Sequence, residues 1–308
     1  MKFSVTIPAY KPDFLDEAVS SVLAQSYGDW ELIVVDDASP ADLRAIMAPY
    51  LADPRVQYYR NEQNYGSVNV VNNWNRCLEY CKGDYVICMG DDDKLLPNCL
   101  ADYAALIAEY PGLDVYHART EIIDEHSRFS DVTASRCAYE SVYSFIWHRW
   151  NGRFLQYVGD FLYKTETLRK NGGFFFLPLA WGSDDVTAII AAREKGIANT
   201  LQPGFCYRIN PATISNAGDI VVKMQAIQKE EEWIESFLEV EPDDELDRKY
   251  WICLRRQRVR HFEKKKGLTI ARDLKDHSWV YVFRWFVRRK RFGLKIRTLV
   301  YAIVEALK

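Results

Sequence analysis

The sequence predicts an α/β fold: a mostly parallel central sheet with helices on both faces, followed by a helical, basic C-terminal region. Three observations carry that expectation. Apolar runs of strand length alternate with segments of helical periodicity through the first 118 residues. Those runs are mostly apolar, as suits strands covered on both faces. Beyond residue 250 the charge balance reverses, in a stretch with helical patterning.

The strand candidates are Phe3–Ile7, Trp30–Val35, Val56–Tyr59, Tyr85–Met89 and Leu113–Ala118. Helical segments fall between them, at about 13–26, 41–52, 66–82 and 97–110. In the first of these, Phe14, Val19, Val22 and Leu23 make one broad apolar face. Residues 119–216 are less regular. A helix is expected around 139–150, a strand over Tyr157–Tyr163, and a short helix at Glu166–Lys170. A helix at Asp184–Lys195 and a strand at Thr200–Ile209 follow. The expected division is therefore 1–216, with halves at 1–118 and 119–216, and a helical region over 217–308.

Composition narrows the class. With 48% hydrophobic and 14% aromatic residues in 308, the chain can bury a full core and is not disordered. Its seven cysteines form no C-x-x-C pair, which argues for reduced thiols rather than zinc or a disulfide framework. The amino terminus opens directly into a strand pattern, so no signal peptide is expected, and no segment is apolar over the ~20 residues a membrane span needs. A cytoplasmic location is the expectation. The net charge of −3 conceals +13 beyond residue 250, where 17 Lys and Arg face 4 Asp and Glu.

On an open α/β sheet, ligands bind beyond the carboxyl ends of the strands. The first strand runs into Pro8-Ala9-Tyr10, the second into Asp36-Asp37-Ala38-Ser39, and the fourth into Gly90-Asp91-Asp92-Asp93. Five carboxylates thus converge on one sheet edge. Like charges brought together are costly, and a hard divalent cation with oxygen ligands, Mg²⁺ or Mn²⁺, offsets the cost. Further along, Asp184 and Asp185 open a helix after a Gly-Ser turn. They suit a general base, or alternatively acids placed at a helix start by the macrodipole. Asp36 and Asp37 likewise have a capping alternative.

Four motifs in order resemble the family 2 glycosyltransferases, inverting enzymes of Rossmann-like GT-A fold. The first is Val5-Thr-Ile-Pro-Ala-Tyr10 with Ala18–Ser26 and Glu31–Ser39. The second is Lys82-Gly-Asp-Tyr85 leading to Asp91-Asp92-Asp93 and Pro97. The third is Gly172-Gly173-Phe174 with Gly182-Ser-Asp-Asp185, and the fourth is Tyr207-Arg208-Ile-Asn-Pro211. The resemblance covers about residues 1–216. It implies that Pro8, Tyr10, Asp36, Asp37, Asn64, Asp91 and Arg208 bind the nucleotide of a UDP-sugar. Within this set Asp37 meets uracil, Tyr10 packs on the base and Arg208 holds the diphosphate. It implies Asp92 and Asp93 as metal ligands, with the register inside the triplet open, because Gly90 stands where relatives begin their acidic run. Asp185 is implied as base, with Asp184 as second choice. Lys11 stands where Asn is usual.

The function so implied is metal-dependent, inverting transfer of a sugar to a hydroxyl of a polysaccharide or lipid-linked oligosaccharide. The alternatives are a sugar-phosphate nucleotidyltransferase and a non-catalytic nucleotide-sugar-binding protein. The first usually has a Gly-rich basic loop where this chain has Pro8-Ala-Tyr-Lys11, and the second needs no base. The tail combines Trp279–Val287, Arg288-Arg-Lys-Arg291 and an apolar face of Ile296, Leu299, Val300, Ile303 and Leu307. It reads either as a surface for an anionic membrane, placing the protein peripherally on the inner face of the plasma membrane, or as a helical cap on the catalytic domain. No nucleic-acid-binding motif is present, and no nucleic-acid partner is expected.

Overall fold

A computed structural model describes residues 1–210, 218–276 and 280–308. Pro211 and Trp279, named above, and the expected boundary at 216 lie outside the described residues. The chain divides into two compact units. One comprises Met1–Phe176 with Ser183–Ala212, the other Leu177–Gly182 with Thr213–Lys308.

The first unit is built on strands β1 (Phe3–Ala9), β2 (Trp30–Asp36), β3 (Val56–Arg60) and β4 (Tyr85–Cys88). Between them lie helices α1 (Leu15–Leu23), α2 (Leu43–Met47) and α3 (Val70–Tyr80). After β4 come β5 (Lys94–Leu95), α4 (Cys99–Glu109), β6 (Val115–Ile123), β7 (Phe129–Val132) and β8 (Tyr139–Glu140). Then follow α5 (Val142–Trp150), β9 (Phe161–Lys164), α6 (Thr165–Lys170), α7 (Ser183–Ala192) and β10 (Ile197–Arg208). The strands lie in the order β3-β2-β1-β4-β9-β6-β10-β5, with β7 beside β6 and β8 beside β10.

The β3-β2-β1-β4 portion is parallel throughout. Every residue of β2 is buried, and on β1 Ser4 and Thr6 are as buried as Phe3, Val5 and Ile7, because helices cover both faces. Past β4 the pairing is mixed: β9 runs antiparallel to β4 and β6, while β6 and β10 are parallel.

Local chemistry explains where elements depart from expectation. The strand expected over 157–163 begins only at Phe161. Asp160 accepts the Tyr157 amide at 3.0 Å and the Thr120 hydroxyl at 2.9 Å, winding 158–160 into a short 3-10 turn. Gly159 is needed there, since a Cβ would stand 2.5 Å from the Phe205 ring. The pairing of β10 with β6 shifts register around Pro203, which has no N–H for the ladder. The short strands β5, β7 and β8 carry too few residues for a period to show.

At the amino edge of the sheet, the buried Glu31 ties three segments together. It accepts from Ser4 Oγ at 2.7 Å, Lys2 Nζ at 2.9 Å and the Lys82 amide at 2.5 Å. Burial alone pushes its carboxyl up, but the Ser4, Lys2 and Lys82 hydrogen bonds more than offset that and hold it below the usual carboxylate range.

In the second unit, α8 (Ile220–Phe237), α9 (Glu245–Asp276), α10 (Val280–Arg288) and α11 (Ile296–Ala306) are helices. Buried Trp285 donates to Asp273 at 2.6 Å and packs on Phe292. Glu263 receives Lys295 at 2.6 Å and Arg297 at 2.7 Å, joining α9 to the start of α11. No helix among the described residues is long and apolar enough to cross a membrane.

Gly83 is the tightest point of the amino edge. An added Cβ would stand 2.7 Å from the Ser4 backbone nitrogen and 2.8 Å from the Lys2 carbonyl oxygen. Gly83→Ala is expected to destabilise the chain by about 1–3 kcal/mol through overpacking. A lower urea midpoint, with little change in slope, is the expected reading.

Candidate donor and catalytic site

The carboxyl ends of β1, β2 and β4 bring the five expected carboxylates to one edge, and each is held differently. Asp91 Oδ2 accepts the backbone N–H groups of Tyr10 and Lys11, both at 2.7 Å, splicing the end of β4 to the end of β1. Asp36, fully buried, accepts the Ser39 amide at 2.7 Å, the Tyr58 hydroxyl at 2.6 Å and the Arg60 guanidinium. Burial and the Asp36 charge push the Tyr58 phenol up to about 12. Asp36 therefore fastens the turn after β2. Asp37 accepts from Asn61 Nδ2 at 2.9 Å and from the Tyr65 amide at 3.1 Å. It thereby draws in the loop that carries Asn64, whose side-chain oxygen accepts the Gly66 amide. Gly66 has φ 74°, a conformation that disfavours other residues. Tyr10 and Tyr65 are 43% and 38% exposed beside this edge. Pro8 is half-buried in register with Val35.

The triplet itself is crowded. Asp93 Oδ2 folds over Gly90 so closely that a Cβ there would stand 2.8 Å away. Asp93 Oδ1 accepts the Arg208 amide at 3.0 Å. Burial, then the Asp92 charge, push the Asp91 carboxyl up to about 6, although the Lys11 and Tyr10 amides pull against them. Burial and the Asp92 charge push Asp93 well above the usual range. Asp92 Oδ2 is buried with no hydrogen-bond partner, and Lys11 Nζ stands 3.7 Å from it. Among the described residues no three His, Cys, Asp or Glu side chains form a ready metal cage. A Mg²⁺-like ion needs only one or two carboxylates when water and phosphate oxygens complete its shell. Asp92 Oδ2, a hard oxygen with its hydrogen bonds unmade, fits that role.

Asp184 and Asp185 lie in the first turn of α7. Asp185 Oδ1 receives Arg149 Nε at 3.0 Å and the side-chain amide of Gln156, and Oδ2 receives Arg149 Nη2 at 3.4 Å. Behind Gln156, Arg136 donates to its Oε1 at 3.1 Å. Arginine only donates, so the Gln156 oxygen faces Arg136 and its NH₂ faces Asp185. The Gly172-Gly173-Phe174 turn braces α7 against α3. Asn75 accepts the Phe174 amide at 2.7 Å and donates to the Phe174 carbonyl at 3.0 Å, while the Phe175 amide donates to Thr187 on α7. Tyr207 lies near the end of β10. Burial pushes its phenol up to about 12, assisted by the charges of Asp93, Asp92 and Asp184. Its ring stacks on Tyr157 at 3.8 Å.

Arg208, expected at the diphosphate, is fully buried. Its Nε donates to the Asp92 carbonyl at 2.7 Å, Nη1 to the Asp124 carbonyl at 3.2 Å and Ser127 Oγ at 2.8 Å, and Nη2 to Glu17 at 3.1 Å. The Phe14 ring covers the guanidinium at 4.0 Å. In this arrangement it presents no accessible edge to a diphosphate and instead fastens the triplet to β10. Arg149, Gln156 and Arg136, which hold Asp185, were not among the sequence candidates. Arg149 falls in the helix expected over 139–150, while Gln156 and Arg136 fall between expected elements, and in neither place does local spacing mark a side chain bound for Asp185.

The acidic edge costs stability. Asp91 has a folded pKa above its ordinary value, so its ionised form is penalised as pH rises from about 3.8 towards 6. Asp91→Asn, which keeps an acceptor for the two amides, is expected to stabilise the ligand-free chain by about 1–3 kcal/mol near neutral pH. Thermal unfolding across pH should show the gain fading below about pH 4.

Comparison with known proteins accords with this geometry. Residues 4–177 match the model of the family described as glycosyl transferase family 2. Protein CgeD of Bacillus subtilis is 26% identical over 43% of this chain and 32% of its own length. The putative colanic acid biosynthesis glycosyl transferase WcaA of Escherichia coli is 34% identical over 34% of this chain and 39% of its own. The chain thus spans well under half the length of these curated relatives. The structure of Staphylococcus aureus TarS 1–349 in complex with UDP-GlcNAc superposes with a TM-score of 0.68 at 17% identity, over 100% of this chain and 88% of that one. A mannosyltransferase from Pyrobaculum calidifontis, in complex with GDP-Man and Mn²⁺, gives 0.54 at 13% identity, over 99% and 86%. These likenesses show the GT-A fold, and the family match covers more than half of the sequence. The chain belongs to glycosyl transferase family 2.

Proposed function

We propose that this chain is an inverting glycosyltransferase that moves a sugar from a UDP-sugar to a hydroxyl of a polysaccharide or lipid-linked oligosaccharide. The observation that carries the reading is the acidic edge, where Asp92 Oδ2 lies buried without a hydrogen bond and so is ready for a cation, together with the Asp184–Asp185 pair in the first turn of α7. Diphosphate departure needs the first and proton removal the second.

Asp37 and Asn64 border the loop where the uracil is expected, with the exposed Tyr10 and Tyr65 rings to pack on it. Asp92 and Asp93 would hold Mn²⁺ or Mg²⁺, and a divalent ion there supplies charge neutralisation for the leaving diphosphate. The acceptor oxygen attacks the anomeric carbon as the bond from that carbon to the diphosphate oxygen breaks. The acceptor proton passes to Asp185, whose orientation Arg149 and Gln156 hold. One in-line displacement inverts the anomeric centre and needs no covalent enzyme intermediate. The TarS complex with UDP-GlcNAc supports a uridine donor, and the Mn²⁺ complex of the mannosyltransferase supports a metal. A Campylobacter jejuni relative, 31% identical over 32% of each chain, is a GalNAc(5)-diNAcBac-PP-undecaprenol beta-1,3-glucosyltransferase, which supports a lipid-linked acceptor.

Such an acceptor places the work at a membrane. In α10, Phe283, Phe286 and Val287 are 69%, 48% and 64% exposed, beside Arg284 and the Arg288–Arg291 run. Exposed aromatics ringed by cations suit an anionic bilayer, each cation contributing about 1 kcal/mol.

UDP with Mn²⁺ is expected to raise the melting temperature, and excess chelator to remove most of that rise. In the same series Asp185→Asn should keep the UDP shift while transfer falls by about 10²-fold or more. An equal UDP shift in chelator excludes the metal role, and a loss of the shift in Asp185→Asn excludes the base assignment.

For the membrane partner, the full-length chain should sediment with vesicles containing anionic lipid and much less with neutral ones. Phe283→Ser/Phe286→Ser should reduce that binding, and salt should weaken it further. Equal sedimentation of variant and wild type would leave the tail without a membrane role.

A further inference from the structure

Lys11 is anchored through its backbone, and its side chain is partly exposed. Its backbone N–H is fixed on Asp91 Oδ2 at 2.7 Å. Its side chain, 28% exposed, turns to the next acid, where Nζ stands 3.7 Å from Asp92 Oδ2. That oxygen is buried and has no hydrogen-bond partner, so the ammonium is the positive charge the carboxylate meets.

A divalent ion held by Asp92 Oδ2 would compete with the Lys11 ammonium for the same oxygen, and two cations on one carboxylate repel each other. Lysine is a compact point charge on a flexible four-carbon stem, so its head can swing while its backbone stays on Asp91. A diphosphate brings the negative charge that lets both cations remain, one on the carboxylate and one on phosphate oxygens.

We infer that Lys11 is a built-in counter-cation for Asp92. It opposes a free divalent ion and, when the metal arrives with a nucleoside diphosphate, moves from the carboxylate to the phosphates. Cation and nucleotide binding thereby become mutually dependent: each raises the affinity for the other by the same factor. This rests on reading the acidic edge as a metal–diphosphate site.

The test is Mn²⁺ binding to the full chain, followed by the electron paramagnetic resonance of the free ion, with and without UDP. Wild type is compared with Lys11→Met, which keeps the stem and removes the charge, and with Lys11→Arg, which keeps the charge. Both variants retain the backbone contact to Asp91, and circular dichroism reports whether they fold. In the absence of UDP, Lys11→Met should bind Mn²⁺ about tenfold tighter or more. The further tightening on adding UDP should shrink, and Lys11→Arg should behave as wild type. Equal or weaker Mn²⁺ binding by Lys11→Met without UDP overturns the inference and leaves the metal site standing. If none of the three binds Mn²⁺ with or without UDP, the metal reading falls and the inference falls with it.

Discussion

The first unit depends on one constraint: carboxylates buried at a sheet edge must each find a partner or pay heavily for its absence. Asp36 takes Ser39, Tyr58 and Arg60, and so fixes the turn after β2. Asp37 takes Asn61 and Tyr65 and so folds in the loop before α3. Asp91 takes two backbone amides of the β1 exit, and Asp93 takes the backbone of Arg208 at the far end of the domain. The side chain of Arg208 then reaches Asp124, Ser127 and Glu17. Four acids thus organise five segments, and the fifth, Asp92, keeps one oxygen without a hydrogen bond. The arrangement is costly because these charges repel one another, and a cost of that kind persists where function needs it.

The sheet and the acidic edge were legible in the sequence for physical reasons. A strand buried on both faces is rich in apolar residues, so Trp30–Val35 and Tyr85–Met89 announce themselves, and the acids after them stand out by contrast. The partners that hold those acids were not legible. Arg149 and Gln156 reach Asp185, and Arg136 reaches Gln156, and such long-range side-chain contacts leave no trace in local spacing. Arg208 shows the opposite limit. Its motif marks it as important, but only the fold reveals that its donors are spent inside the protein. The 3-10 turn at 158–160 was hidden because Val158 and its neighbours are as suited to a strand as to a turn, and Asp160 decides between them.

The second unit treats charge in another way. Glu230 and Glu231 on α8 pair with Lys265 and Lys266 on α9, and Glu263 holds Lys295 and Arg297. Part of the positive excess beyond residue 250 is therefore spent in holding helices together. Others lie in and just after α10, where Arg284 lies over Tyr281 and Arg289 over Phe286. Cation and ring share one surface, so the basic and aromatic characters of this segment are a single feature.

Gly90 links the acidic edge to the routes open to mutation. Any side chain there would stand 2.8 Å from Asp93 Oδ2 and 3.1 Å from Asp92 Oδ1. A residue gained at 90 would press on the Asp93 carboxylate, which must turn aside to admit it. Turning it aside disturbs the hydrogen bond by which Asp93 Oδ1 holds the Arg208 backbone. In a lineage descended from this chain, a change at 90 is therefore felt at 93 and, through it, at the end of β10.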